Sequence, residues 1–249
     1  MDDVAVIILA AGEGTRMKSR RAKVLHEIAG VPMIRYVVES ALAVSEQVVV
    51  VIGYQAEAVE AALVSFPMLR FAVQHEQLGT GHAVKCAMSA APPGIQDVVV
   101  LCGDTPLIRP DTVRGLIDRH RSRESLLSFI ATTLENPWGY GRIVLDETGH
   151  PVRIVEEADA TEREKKIGLI NTGAYCVNSG FLKMALQGLK DDNAQGEFYL
   201  TDVVEQAYTD GKPAVLFEVD DAMQVMGVNT REELAEASRF LVGSNKKGA

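Results

Sequence analysis

The chain has 249 residues, 47% hydrophobic and 24% charged, enough for a substantial core at the upper end of what one α/β domain holds. Its formal net charge of −9 disfavours non-specific attachment to nucleic acid or to an anionic membrane surface. Cys86, Cys102 and Cys176 form no Cys-x-x-Cys pair and the histidines form no His-x-x-x-His pair, so neither a disulfide framework nor a transition-metal site is expected, and a reducing cytoplasm fits best.

The amino terminus, Met-Asp-Asp-Val, has no basic segment before its apolar run, and residues 4–11 are too few to cross a bilayer of about 30 Å, so neither export nor membrane spanning is expected. Strand-like runs at 4–9, 48–52, 71–74 and 98–101 alternate with helix-like segments at 34–43, 56–63 and 82–91. That alternation predicts βαβ units and a mainly parallel sheet. Runs 48–52 and 98–101 are continuously apolar, as central strands covered by helices on both faces should be. From about residue 126 the rhythm changes, with strand-like segments at 127–133, 141–145, 152–156 and 170–177 predicted to build a lid or second wall. Helices are expected at 180–189 and 199–208, a strand at 214–219, and a last helix from near Thr230 carrying Leu234, Ala237 and Leu241 on one face. The expected architecture is α/β: a Rossmann-like open, mainly parallel sheet flanked by helices over residues 1–242, divided near 125 from a smaller β-rich lobe. Residues 243–249 read as a disordered tail.

Between the first strand and the first helix lies Leu9-Ala10-Ala11-Gly12-Glu13-Gly14-Thr15-Arg16-Met17. Glycines there let backbone N–H groups crowd a phosphate, and the small Ala10 and Ala11 leave space for a flat base or ribose. It is neither a dinucleotide fingerprint, because Met17 stands where a third glycine belongs, nor a Walker A loop. Arg16, Lys18, Arg20, Arg21 and Lys23 then put five cations into eight positions without an acid. Arg16 and Lys23 could bracket the phosphates of a triphosphate and stabilise departing pyrophosphate; the plainer reading is a solvated basic patch.

This stretch, with Lys23-Val24-Leu25, resembles the signature of the sugar-nucleotide pyrophosphorylases. Later segments narrow the likeness: Gln74-x-x-Gln77-Leu78-Gly79-Thr80-Gly81-His82-Ala83, Gly103-Asp104-x-Pro106-Leu107, Gly139-Tyr140-Gly141-Arg142-Ile143, Ile170-Asn171-Thr172-Gly173, Asn193-Ala194-Gln195-Gly196-Glu197 and Gly227-Val228-Asn229. Together they look like the uridylyltransferase domain of the bacterial N-acetylglucosamine-1-phosphate uridylyltransferases, over about residues 4 to 240. The resemblance implies a nucleotide-diphospho-sugar transferase fold with a nucleotide-binding first half and a sugar-binding second half. It implies Mg²⁺ as cofactor, and UTP, N-acetylglucosamine 1-phosphate, UDP-N-acetylglucosamine and diphosphate as partners, in a cytoplasmic supply of peptidoglycan and lipopolysaccharide precursors.

By the same resemblance, residues matching Leu9, Ala10, Gly12, Gln74, Gly79 and Thr80 hold uracil, and Ala11, Gly14 and Gly103 are expected among the substrate contacts; Thr80 is equally an ordinary helix N-cap. Asp104 follows an apolar strand at its carboxyl end, where open α/β sheets place ligands, and with Asn229 it matches the family's Mg²⁺ ligands; it could instead merely cap a turn. Gly141, Glu156 and Asn171 are assigned to the hexosamine, Glu156 being preferred to Glu157 because strand alternation sends its neighbour to the other face. A sugar 1-phosphate is anionic near neutral pH, since the second phosphate pKa is about 6, so no general base is needed and Arg16, Lys23 and Asp104 carry the catalytic expectation. Cys102 departs from the tyrosine and Ala22 from the proline common in the family. The β-helical acetyltransferase region that follows in many members is not expected in this chain, and a monomer is favoured. The rival readings are another sugar 1-phosphate or nucleotide, or a catalytically silent nucleotide-sugar sensor.

Overall fold

The computed structural model describes residues 1–245. In chain order its elements are β1 (Val4–Ala10), the short hairpin β2 (Glu27–Ile28) and β3 (Val31–Pro32), α1 (Met33–Leu42), β4 (Val48–Ile52), α2 (Ala56–Ala62), β5 (Arg70–Val73), α3 (Thr80–Met88), β6 (Asp97–Cys102) and α4 (Pro110–Ser122). There follow β7 (Leu127–Thr133), β8 (Gly141–Leu145), β9 (Pro151–Val155), β10 (Leu169–Asn178), α5 (Ser179–Gly188), α6 (Asp202–Thr209), β11 (Val215–Glu218) and α7 (Arg231–Asn245). No helix among the described residues is long and apolar enough to cross a membrane.

The sheet runs β11-β7-β10-β6-β1-β4-β5, with the β8–β9 hairpin attached to β10. β1 pairs in parallel with β4 and with β6, β4 pairs in parallel with β5, and β10 enters antiparallel between β6 and β7. Side chains of β1 alternate between two cores, as the pleat requires. Val4, Val6 and Ile8 pack with Ile34, Val37 and Val38 of α1 and with Val113 and Leu116 of α4, whereas Ile7 packs with Val84 of α3, Leu182 of α5 and Val203 of α6. Both faces are thus covered, which is why β4 and β6 read as unbroken apolar runs.

The second half differs from the expected separate wall in one respect. β7, β10 and β11 extend the same sheet, and only the β8–β9 hairpin lies off its path. The reason is in β7, whose first six residues are all buried and so need cover on both faces. α6 begins at Asp202 rather than near 199, because the preceding Leu200 is fixed by its N–H to Thr80 Oγ1 at 3.0 Å. α7 continues past Gly243 to Asn245, into the segment expected as tail; residues 246–249 of that expectation lie outside the described residues.

Candidate active site

β1 and β6 are neighbours, so the turns leaving their carboxyl ends, 11–17 and 102–105, face each other across a crevice. Gly103 ties them together, its N–H donating to Leu9 O at 2.9 Å, and a Cβ there would stand 2.8 Å from Ile34 Cδ1. Above them the cleft has two compartments of about 260 Å³ each. The first is lined by Leu9, Ala10, Ala11, Gly12, Gln74 and Gly79, and the second by Arg16, Gly141, Glu156, Asn171 and Asn229. Leu9, Lys23, Thr80, Cys102 and Asp104 line both and mark the junction. Of the expected contacts, Gly14 and Gly103 do not line the cleft; they are spacing residues beneath Lys23 and Leu9.

At the junction three loops remote in sequence converge. Lys23 Nζ forms an ion pair with Asp104 Oδ2 and donates to Asn229 Oδ1 at 2.9 Å, and Arg16 Nη2 donates to the same oxygen at 2.9 Å. A carboxylate oxygen and an amide oxygen are therefore aimed at one cationic position. That donor set suits a hard cation that takes one or two protein oxygens and completes its shell with phosphate and water. Among the described residues no group of three or more His, Cys, Asp or Glu is placed to hold a metal. Lys23 is held in a tight 3-10 turn, and the preceding Ala22 N–H is bound by Gln55 Oε1 at 2.9 Å. Of the five clustered cations only Arg16 and Lys23 line the cleft; Arg21 pairs instead with Glu27 on the surface, and Lys18 and Arg20 are exposed.

In the first compartment Gln74 is 3% exposed; its Nε2 donates to Gly79 O at 3.0 Å and lies 3.2 Å from His82 Nδ1. Gly79 has φ 102, and a Cβ there would come within 2.7 Å of Phe198 O, so the backbone of the segment containing Glu197 and Phe198 seals this side. The helix-start reading of Thr80 is corrected here. Gly79 is the N-cap of α3, Gly81 N–H is already taken by Phe198 O, and Thr80 Oγ1 accepts the Leu200 N–H. Thr80 thereby stitches the two halves of the cleft together.

The second compartment is acidic and polar. Glu156 Oε1 accepts from Thr201 Oγ1 at 3.1 Å; burial pushes its carboxyl up, opposed by that hydrogen bond and reinforced by Asp159, Asp202 and Glu197. Asn171 Oδ1 accepts the Gly173 N–H at 3.1 Å, inside an irregularity of β10 that turns this stretch toward the cleft. Gly141 is crowded, its missing Cβ lying 2.7 Å from Ile154 Cγ2 and 3.4 Å from Glu156 Oε2. Glu157 points elsewhere, toward Arg142 and the Gly139 N–H. Cys102 faces the junction, but burial pushes its thiol up to about 12, which makes it a poor nucleophile. Residues the sequence reading passed over include Tyr140, Tyr175, Thr201 and Gly227, all lining this compartment. Tyr140 and Gly227 lay inside quoted motifs; Thr201 and Tyr175 had no local signal.

Residues 6–166 match the family model described as a MobA-like NTP transferase domain. Over 241 residues, 96% of this chain and 51% of the relative, the chain is 48% identical to the bifunctional protein GlmU of Geobacter metallireducens. It is 50% identical over 244 residues to that of Anaeromyxobacter dehalogenans, covering 96% of this chain and 50% of the relative. With the shorter GlmU of Desulfotalea psychrophila identity is 45% and coverage 96% and 70%. The chain thus spans about half the length of most of these curated relatives. A solved Bacillus anthracis structure, described as a candidate glucose-1-phosphate thymidylyltransferase in complex with a sucrose, superposes with a TM-score of 0.76 over 95% of this chain and 94% of that one, at 20% identity, and shares the fold.

Proposed function

The chain belongs to the MobA-like NTP transferase family, in the company of the bifunctional GlmU proteins, and on that premise we propose that it is a Mg²⁺-dependent uridylyltransferase that converts UTP and N-acetyl-α-D-glucosamine 1-phosphate to UDP-N-acetylglucosamine and diphosphate. The observation that carries this reading is the meeting of Lys23, Arg16, Asp104 and Asn229 at the junction of two compartments. One compartment is shaped for a base and the other for a polyol, and the charged groups stand where their phosphates meet.

The first compartment takes the uridine: Leu9, Ala10, Ala11 and Gly12 leave room against the ring and ribose, while Gln74 and the Gly79–Thr80 turn face the edge of the base. The second takes the hexosamine, with Glu156 accepting from sugar hydroxyls, Asn171 donating and accepting, and Gly141 giving backbone approach. Asp104 and Asn229 would hold Mg²⁺, which supplies charge neutralisation at the phosphates. Lys23 and Arg16 offset the charge that collects on pyrophosphate as it leaves, and the chain aligns the sugar phosphate oxygen in line with the α-phosphorus of UTP. The acceptor is already an anion at neutral pH, so no side chain has to remove a proton.

The test is diphosphate release from UTP and Mg²⁺ with N-acetylglucosamine, glucosamine and glucose 1-phosphates as alternative acceptors. Turnover with the first at least about tenfold above the others supports the sugar assignment. Preference for glucose 1-phosphate overturns the sugar and keeps the chemistry, and no release with any acceptor overturns the reaction.

A further inference from the structure

Three consecutive residues of the second compartment, Gly139, Tyr140 and Gly141, sit on one turn whose shape is set by a charged pair that is not itself among the residues lining the cleft. Glu157 Oε2 accepts the Gly139 N–H at 2.9 Å and pairs with Arg142 Nη2 at 2.6 Å, and Arg142 Nη1 donates to Tyr140 O. The four groups close a ring: Gly139 N–H to Glu157, Glu157 to Arg142, Arg142 to the Tyr140 carbonyl. Gly139 is at φ 83, a backbone state that needs holding, and a Cβ on it would lie 3.3 Å from Arg16 Nη1.

Arg142 is 1% exposed and its Nε has no hydrogen-bond partner. Burying a guanidinium with one donor unsatisfied opposes stability, and an apolar residue of similar volume is usually as good or better in such a place. Stability therefore does not account for the pair, whereas geometry does: it ties the Gly139 N–H and the Tyr140 carbonyl together from behind, beside the Tyr140 N–H to Pro137 O bond of 3.2 Å, while leaving their front to the cleft. Burial alone would raise the Glu157 carboxyl, but the Gly139 N–H and Arg142 outweigh it and hold it below the usual carboxylate range.

We propose that Glu157, acting through Arg142, is a positioning residue for the sugar-phosphate compartment, setting the turn of Gly139, Tyr140 and Gly141 and leaving the nucleotide compartment untouched. The proposal rests on the reading of that compartment as the acceptor site. A displacement of that turn by about 1 Å is enough to cost on the order of 10²-fold in a positioned reaction.

The experiment compares the unaltered protein with Glu157→Ala and Glu157→Gln, varying N-acetylglucosamine 1-phosphate at saturating UTP and then the reverse, and measures calorimetric binding of the sugar phosphate to each protein. Glu157→Ala should raise the KM and the Kd for the sugar phosphate by about 10- to 100-fold and leave the KM for UTP within about threefold. Glu157→Gln keeps an acceptor for Gly139 N–H and loses only the charge, so it should fall between the two, and it decides the matter if the alanine variant does not fold. Equal effects on both substrates, or a sugar-phosphate Kd within about threefold of the unaltered protein in both variants, overturn the proposal. If the unaltered protein binds the sugar phosphate yet does not turn it over, the assigned reaction fails while the ratio of Kd values still judges the clamp.

Discussion

Gly14→Ala should disable the site by moving Lys23 without unfolding the chain. Gly14 has φ 75, and a Cβ built on it would stand 2.4 Å from Lys23 Cβ, with Lys23 Cγ and Cδ at 3.1 Å. Non-bonded carbons settle at about 3.5 Å. The start of the lysine side chain must therefore retreat by about 1 Å, and because the clash is at Cβ no rotation of the distal side chain relieves it. A shift of that size costs on the order of 10²-fold in rate for a precisely oriented reaction. The backbone strain of alanine at positive φ adds about 1–3 kcal/mol of destabilisation, which a chain of this size survives. Gly30→Ala is the control: it is at φ 81 with nothing within 4 Å of the added carbon, so it carries the strain alone, in the β2–β3 turn. Diphosphate release and thermal unfolding on both variants separate the contributions. Gly14→Ala should lose about 100-fold in kcat/KM for UTP while Gly30→Ala keeps its activity. Retention of activity in a folded Gly14→Ala protein, to within about threefold, would falsify the assignment of Lys23 to the phosphate junction.

Asp104→Asn should lower turnover by at least about 10³-fold and weaken the Mg²⁺ dependence of activity, because it removes the carboxylate that pairs with Lys23 at the junction; circular dichroism should stay unchanged. Asp97, at the opposite end of β6 from the site, is buried beside His120 and Arg121; burial alone would raise its carboxyl, but hydrogen bonds and charge from those two bring it below the usual value. A carboxyl with a depressed folded pKa stabilises above its unfolded pKa of about 3.9 and loses that contribution as pH falls through the folded value. Asp97→Asn should thus lower unfolding free energy at pH 7, with the difference shrinking below about pH 4 and the KM values unmoved; a difference that stays constant down to about pH 2 counts against it. Gly173→Ala puts a Cβ 2.6 Å from Cys102 Sγ at φ 79 and should cost about 1–3 kcal/mol of backbone strain plus that clash in denaturant unfolding; adding Cys102→Ala relieves the clash and not the strain.

Parts of this arrangement were legible because they are local. Strands buried on both faces announce themselves as Val-Val-Val-Val-Ile and Val-Val-Val-Leu, and a glycine turn followed by cations announces a phosphate end. Of the five cations the sequence singled out Arg16 and Lys23, and these two line the cleft; where the others go was not legible, since Arg21 finds Glu27 and Lys18 faces water from short 3-10 turns that have no periodicity to read. The insertion of β10 between β6 and β7 was equally hidden, since alternation predicts a strand and says nothing of its neighbours. Thr201 meets Glu156 across 45 residues, and Leu200 meets Thr80 across 120, so the late start of α6 follows from contacts that no window of sequence contains.

On the proposed reading, the charge layout of the cleft also selects which way the acceptor enters. The cations that line it, Arg16 and Lys23, lie at the junction, while the far wall holds Glu156, with Asp159, Asp202 and Glu197 adding to its electrostatic environment. A phosphate dianion directed at that wall would meet a buried carboxylate in a medium where like charges a few ångströms apart repel by several kcal/mol even at an effective dielectric of about 20. A neutral ring directed there brings hydroxyl donors, which is what a buried carboxylate with only Thr201 bound requires. The phosphate must therefore point to Lys23. In that orientation the anion meets, in a chain of −9 net charge, the place where Lys23 and Arg16 already converge on the oxygens of Asp104 and Asn229.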